Sequence, residues 1–197
     1  MVSQEHLKSL LQKNNGTITT SQANFAGISN ERLRSLEAEG RLERVARGVY
    51  IAPEAFEDKM YISQLVRPSM IYSHETALYV HRLTDRDPIS YTVTVPSGYN
   101  AQKLRKDDLK VFFVKREFFE LGADEGTTIF GNKIRVYGLE RTICDCIRSR
   151  NQMDSDAVAV AIKRYASRQD KDLNILMKMA EAFHIDKLLR GYLEVLL

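Results

Sequence analysis

Leu7, Leu10 and Leu11 recur at helical spacing, so residues 3–13 predict an amphipathic helix that Asn14, Asn15 and Gly16 stop. Thr20 is placed to cap a second helix through Ala26, because a hydroxyl can satisfy the orphan amides of a first turn. Gly27 breaks the chain. Ser29 or Asn30 caps a third helix with Leu33 and Leu36 on one face and Gly40 as its stop. Leu42-Glu43-Arg44-Val45 then reads as a strand, Ala46-Arg47-Gly48 as a turn and Val49-Tyr50-Ile51 as the returning strand. Helices two and three have helix-turn-helix spacing. Three helices and a hairpin in this order predict a winged helix.

Pro53 and Glu54 interrupt the pattern, which puts a domain boundary between residues 1–52 and 56–197. In the second segment Tyr72-Ser73-His74 precedes a helix expected to run through about Leu83. Strands are expected at 89–95 and 109–114. A hairpin is expected at 127–137, with Gly131-Asn132 as a two-residue turn. From Leu139 onward the apolar stripes are helical, with further helices at 155–167, 171–182 and 185–196. The last is apolar over most of its girth, so it should be buried or covered by a partner. The expected class is α+β: an N-terminal winged helix-turn-helix, then a mixed α/β domain ending in a helical bundle.

The chain has 197 residues, 44% hydrophobic and 28% charged, which fits a folded globular protein rather than a disordered one. No apolar run reaches the ~18 residues of a membrane span, and the first residues do not read as a secretory signal. The two cysteines, Cys144 and Cys146, make no disulfide framework. A soluble, reducing, cytoplasmic setting is expected. The net charge of +3 is compatible with nucleic acid without requiring it.

Turning the third helix about its axis shows what it presents. With Leu33 and Leu36 inward, Glu31, Arg34, Ser35 and Ala38 point away, and Arg32 lies on a flank. In a helix-turn-helix that outward side enters the major groove, where Arg34 could pair with a guanine edge and Ser35 with a base or phosphate. Arg44 and Arg47 place cations on the hairpin. The candidate DNA contacts are therefore Thr20, Ser21, Asn30, Arg32, Arg34, Ser35, Arg44 and Arg47. Residues 1–52 hold seven Lys or Arg against five Glu, so charge alone does not decide between DNA and protein as the ligand.

Four blocks in order resemble the AbiEi antitoxins of bacterial type IV toxin–antitoxin, or abortive-infection, systems. They are Gly40 to Tyr50, Ser73-His74-Glu75-Thr76-Ala77-Leu78, Tyr91-Thr92-Val93-Thr94-Val95-Pro96, and Tyr137-Gly138-Leu139-Glu140-Arg141-Thr142-Ile143-Cys144-Asp145. The resemblance implies a winged helix that represses its own promoter at inverted repeats. It implies a second domain that supplies antitoxicity and assists DNA binding. It also implies a nucleotidyltransferase-like toxin opposed without a stable complex. A monomer in solution or a dimer on DNA fits such sites. No membrane and no cofactor are implied.

Catalytic signals are sparse. His74-Glu75 opens like a zinc-protease HExxH, but Leu78 stands at the second histidine position. His74 and His81 lie two turns apart on an expected helix. Cys144 and Cys146 have no second pair or nearby His to complete a zinc site. Glu140-Arg141 reads as a helix-start carboxylate with an ion pair. Glu57-Asp58-Lys59 carries half a nuclease metal motif without its partner Asp. No P-loop, GxSxG or dinucleotide fingerprint occurs, so no enzyme is expected. A basic cluster at Lys103, Arg105, Lys106 and Lys110 is a possible accessory nucleic-acid face, and a second lies at Lys163, Arg164, Arg168 and Lys171. The alternatives are a plain winged-helix regulator with a ligand-binding or dimerisation domain, and a nucleic-acid-directed enzyme.

Overall fold

The computed structural model describes residues 4–196. The chain is mixed α+β and forms two compact units. One comprises the residues up to Pro68 together with Thr127–Ile134. The other comprises Ser69–Gly126 and the residues from Arg135 onward.

The first unit runs α1 (Gln4–Lys13), β1 (Thr17–Thr19), α2 (Thr20–Phe25), α3 (Asn30–Ala38), β2 (Glu43–Ala46), β3 (Val49–Ile51) and α4 (Lys59–Val66). The strands form an antiparallel sheet in the order β1-β3-β2. β1 adds a strand to the three helices and hairpin that the sequence predicts. It is three residues long, too short for an alternation to declare itself, but all three are β-branched and Ile18 is fully buried. Thr19, not Thr20, caps α2. Its hydroxyl accepts from Gln22 N at 3.1 Å, while Thr19 N donates to Gln22 Oε1 at 2.8 Å, a reciprocal capping box. Ser29 rather than Asn30 caps α3, accepting from Arg32 N at 3.2 Å. Leu7, Ile18, Ala23, Ile28, Leu33, Leu36, Leu42 and Tyr50 make the core.

A second small cluster explains why the unit does not end at residue 52. Ile62 of α4 packs with Val49 and Ile51 of β3. The break at Pro53-Glu54 thus falls inside the unit. Asp58 is buried and caps α4, accepting from Tyr61 N at 3.1 Å. Its other oxygen accepts from Thr128 Oγ1 at 2.5 Å and Asn132 Nδ2 at 2.8 Å, which fastens the 127–134 segment into this unit.

The second unit contains β4 (Ile71–Tyr72), α5 (His74–Val80), β5 (Thr92–Pro96), α6 (Gln102–Lys106) and β6 (Lys110–Val114). Next come β7 (Ala123–Thr127) and β8 (Lys133–Tyr137), of which Thr127, Lys133 and Ile134 count with the first unit, then α7 (Leu139–Arg148), α8 (Ser155–Ala166), α9 (Leu173–Ala182) and α10 (Asp186–Leu196). The sheet order is β6-β5-β4-β8-β7. The β4–β5 pair is antiparallel, and β4–β8 and β5–β6 are parallel. The strand expected from residue 89 begins only at Thr92, and Ile89 stands fully exposed in the preceding loop. The β7–β8 connection is five residues long, not the two-residue turn expected, because Thr128–Asn132 is drawn to Asp58.

The core of this unit gathers Ile71, Leu78, Tyr137, Ile143, Ile147, Ile162, Tyr165, Leu176 and Leu189. α10 is amphipathic rather than apolar all round: Leu189 is buried, whereas Lys187, Arg190 and Glu194 are exposed. α7 is buried along most of its length and carries charge inward. Arg141 and Asp145 are fully buried and paired at 2.9 Å, and Arg148 donates to the other Asp145 oxygen at 2.9 Å. Arg141 also donates to the Phe118 carbonyl at 2.8 Å and to the Leu121 carbonyl. Its guanidinium lies over Tyr137 at 3.9 Å and Phe183 at 4.6 Å. So Arg141 pairs with Asp145 rather than Glu140. Glu140 instead accepts from Tyr165 OH and Asp172 N, both at 3.0 Å. Gly122 makes room for this arrangement: its φ is +71°, and a Cβ there would sit 2.7 Å from Arg141 Cβ.

Candidate nucleic-acid interface

α3 buries Leu33 and Leu36 and exposes Glu31, Arg34 and Ala38, as the helical phase requires. Arg34 has no ion pair or side-chain hydrogen bond among the described residues. Arg32 and Ser35 differ from it. Arg32 Nη1 donates to Ser35 Oγ at 3.0 Å and to Glu39 Oε1 at 2.8 Å, and Ser35 Oγ donates to the same carboxylate at 2.6 Å. The Ser35 hydroxyl, and then Arg32, hold the Glu39 carboxyl below its ordinary range. Those two side chains are engaged with Glu39, whereas Arg34 meets only the charge of Glu31 and makes no bond to it.

The β2–β3 turn is built for close approach. Gly48 takes φ +74°, a value favoured by glycine at the second turn position. Its carbonyl accepts from Thr20 N at 2.8 Å and Thr20 Oγ1 at 3.3 Å, so the turn is tied to the first residue of α2. Thr20 therefore positions the hairpin. Arg44 on β2 and Arg47 at the turn are exposed and unpaired among the described residues. Ser21 and Asn30 are exposed at the starts of α2 and α3. Of the eight candidates, three are exposed cations without an ion pair among the described residues, two are polar and exposed, and three are held by intramolecular bonds.

The first unit also carries a groove of about 780 Å³ between α1 and residues 52–56, floored by Leu7, Leu11, Ala52 and Ala55. Phe56 and Phe130 stack at its edge with ring centroids 5.9 Å apart. Sequence periodicity gives no signal for it, since Phe130 reaches it from 74 positions along the chain.

In the second unit Lys103, Arg105 and Lys106 are exposed along α6. Lys110 does not join them. Its ammonium is held by Glu75 Oε1 at 2.7 Å and by the Gln152 carbonyl at 3.1 Å. The 163–171 cluster is mostly compensated: Arg164 is paired with Asp85, Arg168 with Asp170 at 2.6 Å, and Lys171 donates to the Arg168 carbonyl at 2.7 Å.

The histidines do not meet. His74 is fully buried, hydrogen-bonded to Ser73 Oγ at 2.9 Å and Ser149 Oγ at 3.0 Å, and stacked on Phe112 at 3.7 Å. Burial holds its pKa well below the usual value. His81 bonds the Tyr137 carbonyl at 2.6 Å instead. Burial pushes the Cys144 thiol up to about 12 and raises Cys146 well above its usual value, so both are protonated, unreactive thiols. Among the described residues no group of three His, Cys, Asp or Glu is arranged to hold a metal ion, and no helix is long and apolar enough to cross a membrane.

Residues 5–53 match the family model described as "Transcriptional regulator, AbiEi antitoxin". The resemblance drawn from the sequence is thereby shown for this segment, which contains α1 to β3. Among solved structures the chain is similar to the RV2827C protein from Mycobacterium tuberculosis. That likeness has a TM-score of 0.56 at 14% identity, covering 89% of this chain and 69% of that one. At such identity it is a likeness of fold. No curated protein sequence matches the chain.

Proposed function

We propose that the chain is the antitoxin and transcriptional autorepressor of a type IV toxin–antitoxin system, without catalytic activity of its own. Its first unit works as a winged helix: α2 and α3 are the helix-turn-helix, α3 enters the major groove, and the β2–β3 hairpin is the wing. The second unit is an α+β domain ending in a helical bundle. It supplies antitoxicity against a nucleotidyltransferase-like toxin, without a stable complex. The observation that carries this is the set of exposed arginines without an ion pair among the described residues, Arg34 on α3 with Arg44 and Arg47 on the hairpin, in the segment matched to AbiEi regulators. Phosphate contacts fix register, and a base-edge contact selects sequence. Arg34 suits the second role, and Arg44 and Arg47 the first. Operators built as inverted repeats would give a small, mildly charged unit a second set of contacts.

The test is a promoter–reporter fusion combined with growth of cells expressing the adjacent toxin gene. The wild-type chain should repress the reporter and restore growth. Arg34→Ala/Arg47→Ala should derepress the reporter and still restore growth. A reporter that the wild type leaves untouched, or that the double variant represses fully, overturns the proposal.

A further inference from the structure

β6 alternates as an edge strand should, but one of its outward residues is an aromatic. Phe112 and Val114 are buried, whereas Phe113 between them is 42% exposed. One cation stands beside it, and others follow on the adjoining helix. Asp107 closes α6, and Asp108, at φ +57°, turns the chain back toward β6, so the helix lies against the strand that follows it. The Arg105 guanidinium stands 5.9 Å from the Phe113 ring centroid, at the outer limit of a cation–π contact, and does not occupy the ring face closely. Lys103, Arg105, Lys106 and, beyond the strand, Arg116 are exposed and have no ion pair among the described residues. Lys110 is taken by Glu75, and Lys115 lies 3.9 Å from Glu117.

We infer that this α6–β6 face binds single-stranded nucleic acid, with Phe113 as the platform for one unstacked base and Lys103, Arg105 and Lys106 as contacts to the flanking phosphates. Duplex DNA cannot use the ring, because its bases are already stacked on one another. A single strand offers both a free base face and a backbone, and an exposed aromatic beside a cation-bearing helix matches that pair of features. The site lies within the second unit, and the inference does not rest on the winged-helix reading of the first.

The chain has no tryptophan, so Phe113→Trp places a single indole at the proposed platform. Titrated with short oligo(dT), oligo(U) and a duplex of unrelated sequence, its fluorescence should be quenched, saturably, by a single strand and not by the duplex. The two single strands distinguish DNA from RNA as the source. By anisotropy, Phe113→Ala should raise the single-strand Kd by about tenfold or more and leave duplex affinity unchanged. Lys103→Ala/Lys106→Ala should lower the salt slope of single-strand binding by about 0.7 for each phosphate that is no longer neutralised. Thermal unfolding of each variant should match the wild type. Arg34→Ala/Arg47→Ala should keep single-strand binding whatever becomes of the operator. No single-strand binding by the wild type, equal quenching by the duplex, or an unchanged Kd in Phe113→Ala overturns the inference. So does loss of single-strand binding in Arg34→Ala/Arg47→Ala.

Discussion

Buried charge and exposed charge do different work in this chain, and single residues show it. Asp145 is fully buried between Arg141 and Arg148. Asp145→Ala would leave the buried Arg141 uncompensated, and breaking such a pair costs about 3–5 kcal/mol. Chemical denaturation should show a loss of that size, whereas Arg164→Ala, at an exposed pair with Asp85, should leave the midpoint unchanged. His74 gives a pH signature. Burial depresses its folded-state pKa well below the ordinary 6.5, so the unfolded chain binds the extra proton first as the pH falls. Its contribution is fully present above about pH 6.5 and declines below it, by up to about 1.4 kcal/mol per pH unit. His81, also lowered by burial, adds to the same trend. Wild-type stability measured from pH 7.5 to 5 should fall, and His74→Gln should flatten part of that fall; an unchanged slope would contradict the assignment. The burial of these groups is not legible in the sequence. Arg141 and Asp145 are four apart and so form a visible helical pair, but nothing in the pattern says that both are inside.

Among the elements, the long periodic ones are legible and the short ones are not. α1, α3 and α7 to α9 lie within a residue or two of where their apolar spacing puts them, because a buried helical stripe needs several turns and so repeats. β1, with three residues, and β4, with two, offer no repeat to detect, and α6 is little more than a turn. Their places are set by partners distant in sequence: β1 by β3, and β4 by β5 and β8. Caps decide boundaries at single-residue precision, and adjacent threonines leave the pattern undecided, so Thr19 acts where Thr20 is expected. Thr19→Ala should destabilise by about 1 kcal/mol through loss of the α2 cap. Asp58→Ala removes the α4 cap and leaves Thr128 and Asn132 without their acceptor. It should cost about 1–3 kcal/mol for the stranded donors, beyond the cap itself. Limited proteolysis should then cut within 127–134 in Asp58→Ala and spare the wild type.

At the scale of the molecule, the sequence pattern divides the chain at a proline, and the structure divides it where packing stops. Pro53 is a local break, but Ile62 and Asp58 keep the following helix, and the 127–134 segment, within the first unit. A fragment of residues 1–68 therefore lacks Thr128 and Asn132, the side-chain donors to Asp58, and it should unfold at lower denaturant than the same unit in the full chain. For the candidate interface, helical phase is enough to find Arg34. It is not enough to show that Arg32 and Ser35 are engaged with Glu39, or that Thr20 holds the Gly48 turn, because those bonds depend on rotamers and on a contact 28 positions away. The most direct measurement is a footprint of the full-length chain on its own promoter, with wild type and Arg34→Ala/Arg47→Ala compared at equal concentration and ionic strength. Two inverted half-sites protected by the wild type and left open by the double variant, with both proteins unfolding at the same temperature, is the outcome expected. No protected site with the wild type, or the same protection with the double variant, would contradict DNA recognition through α3 and the hairpin.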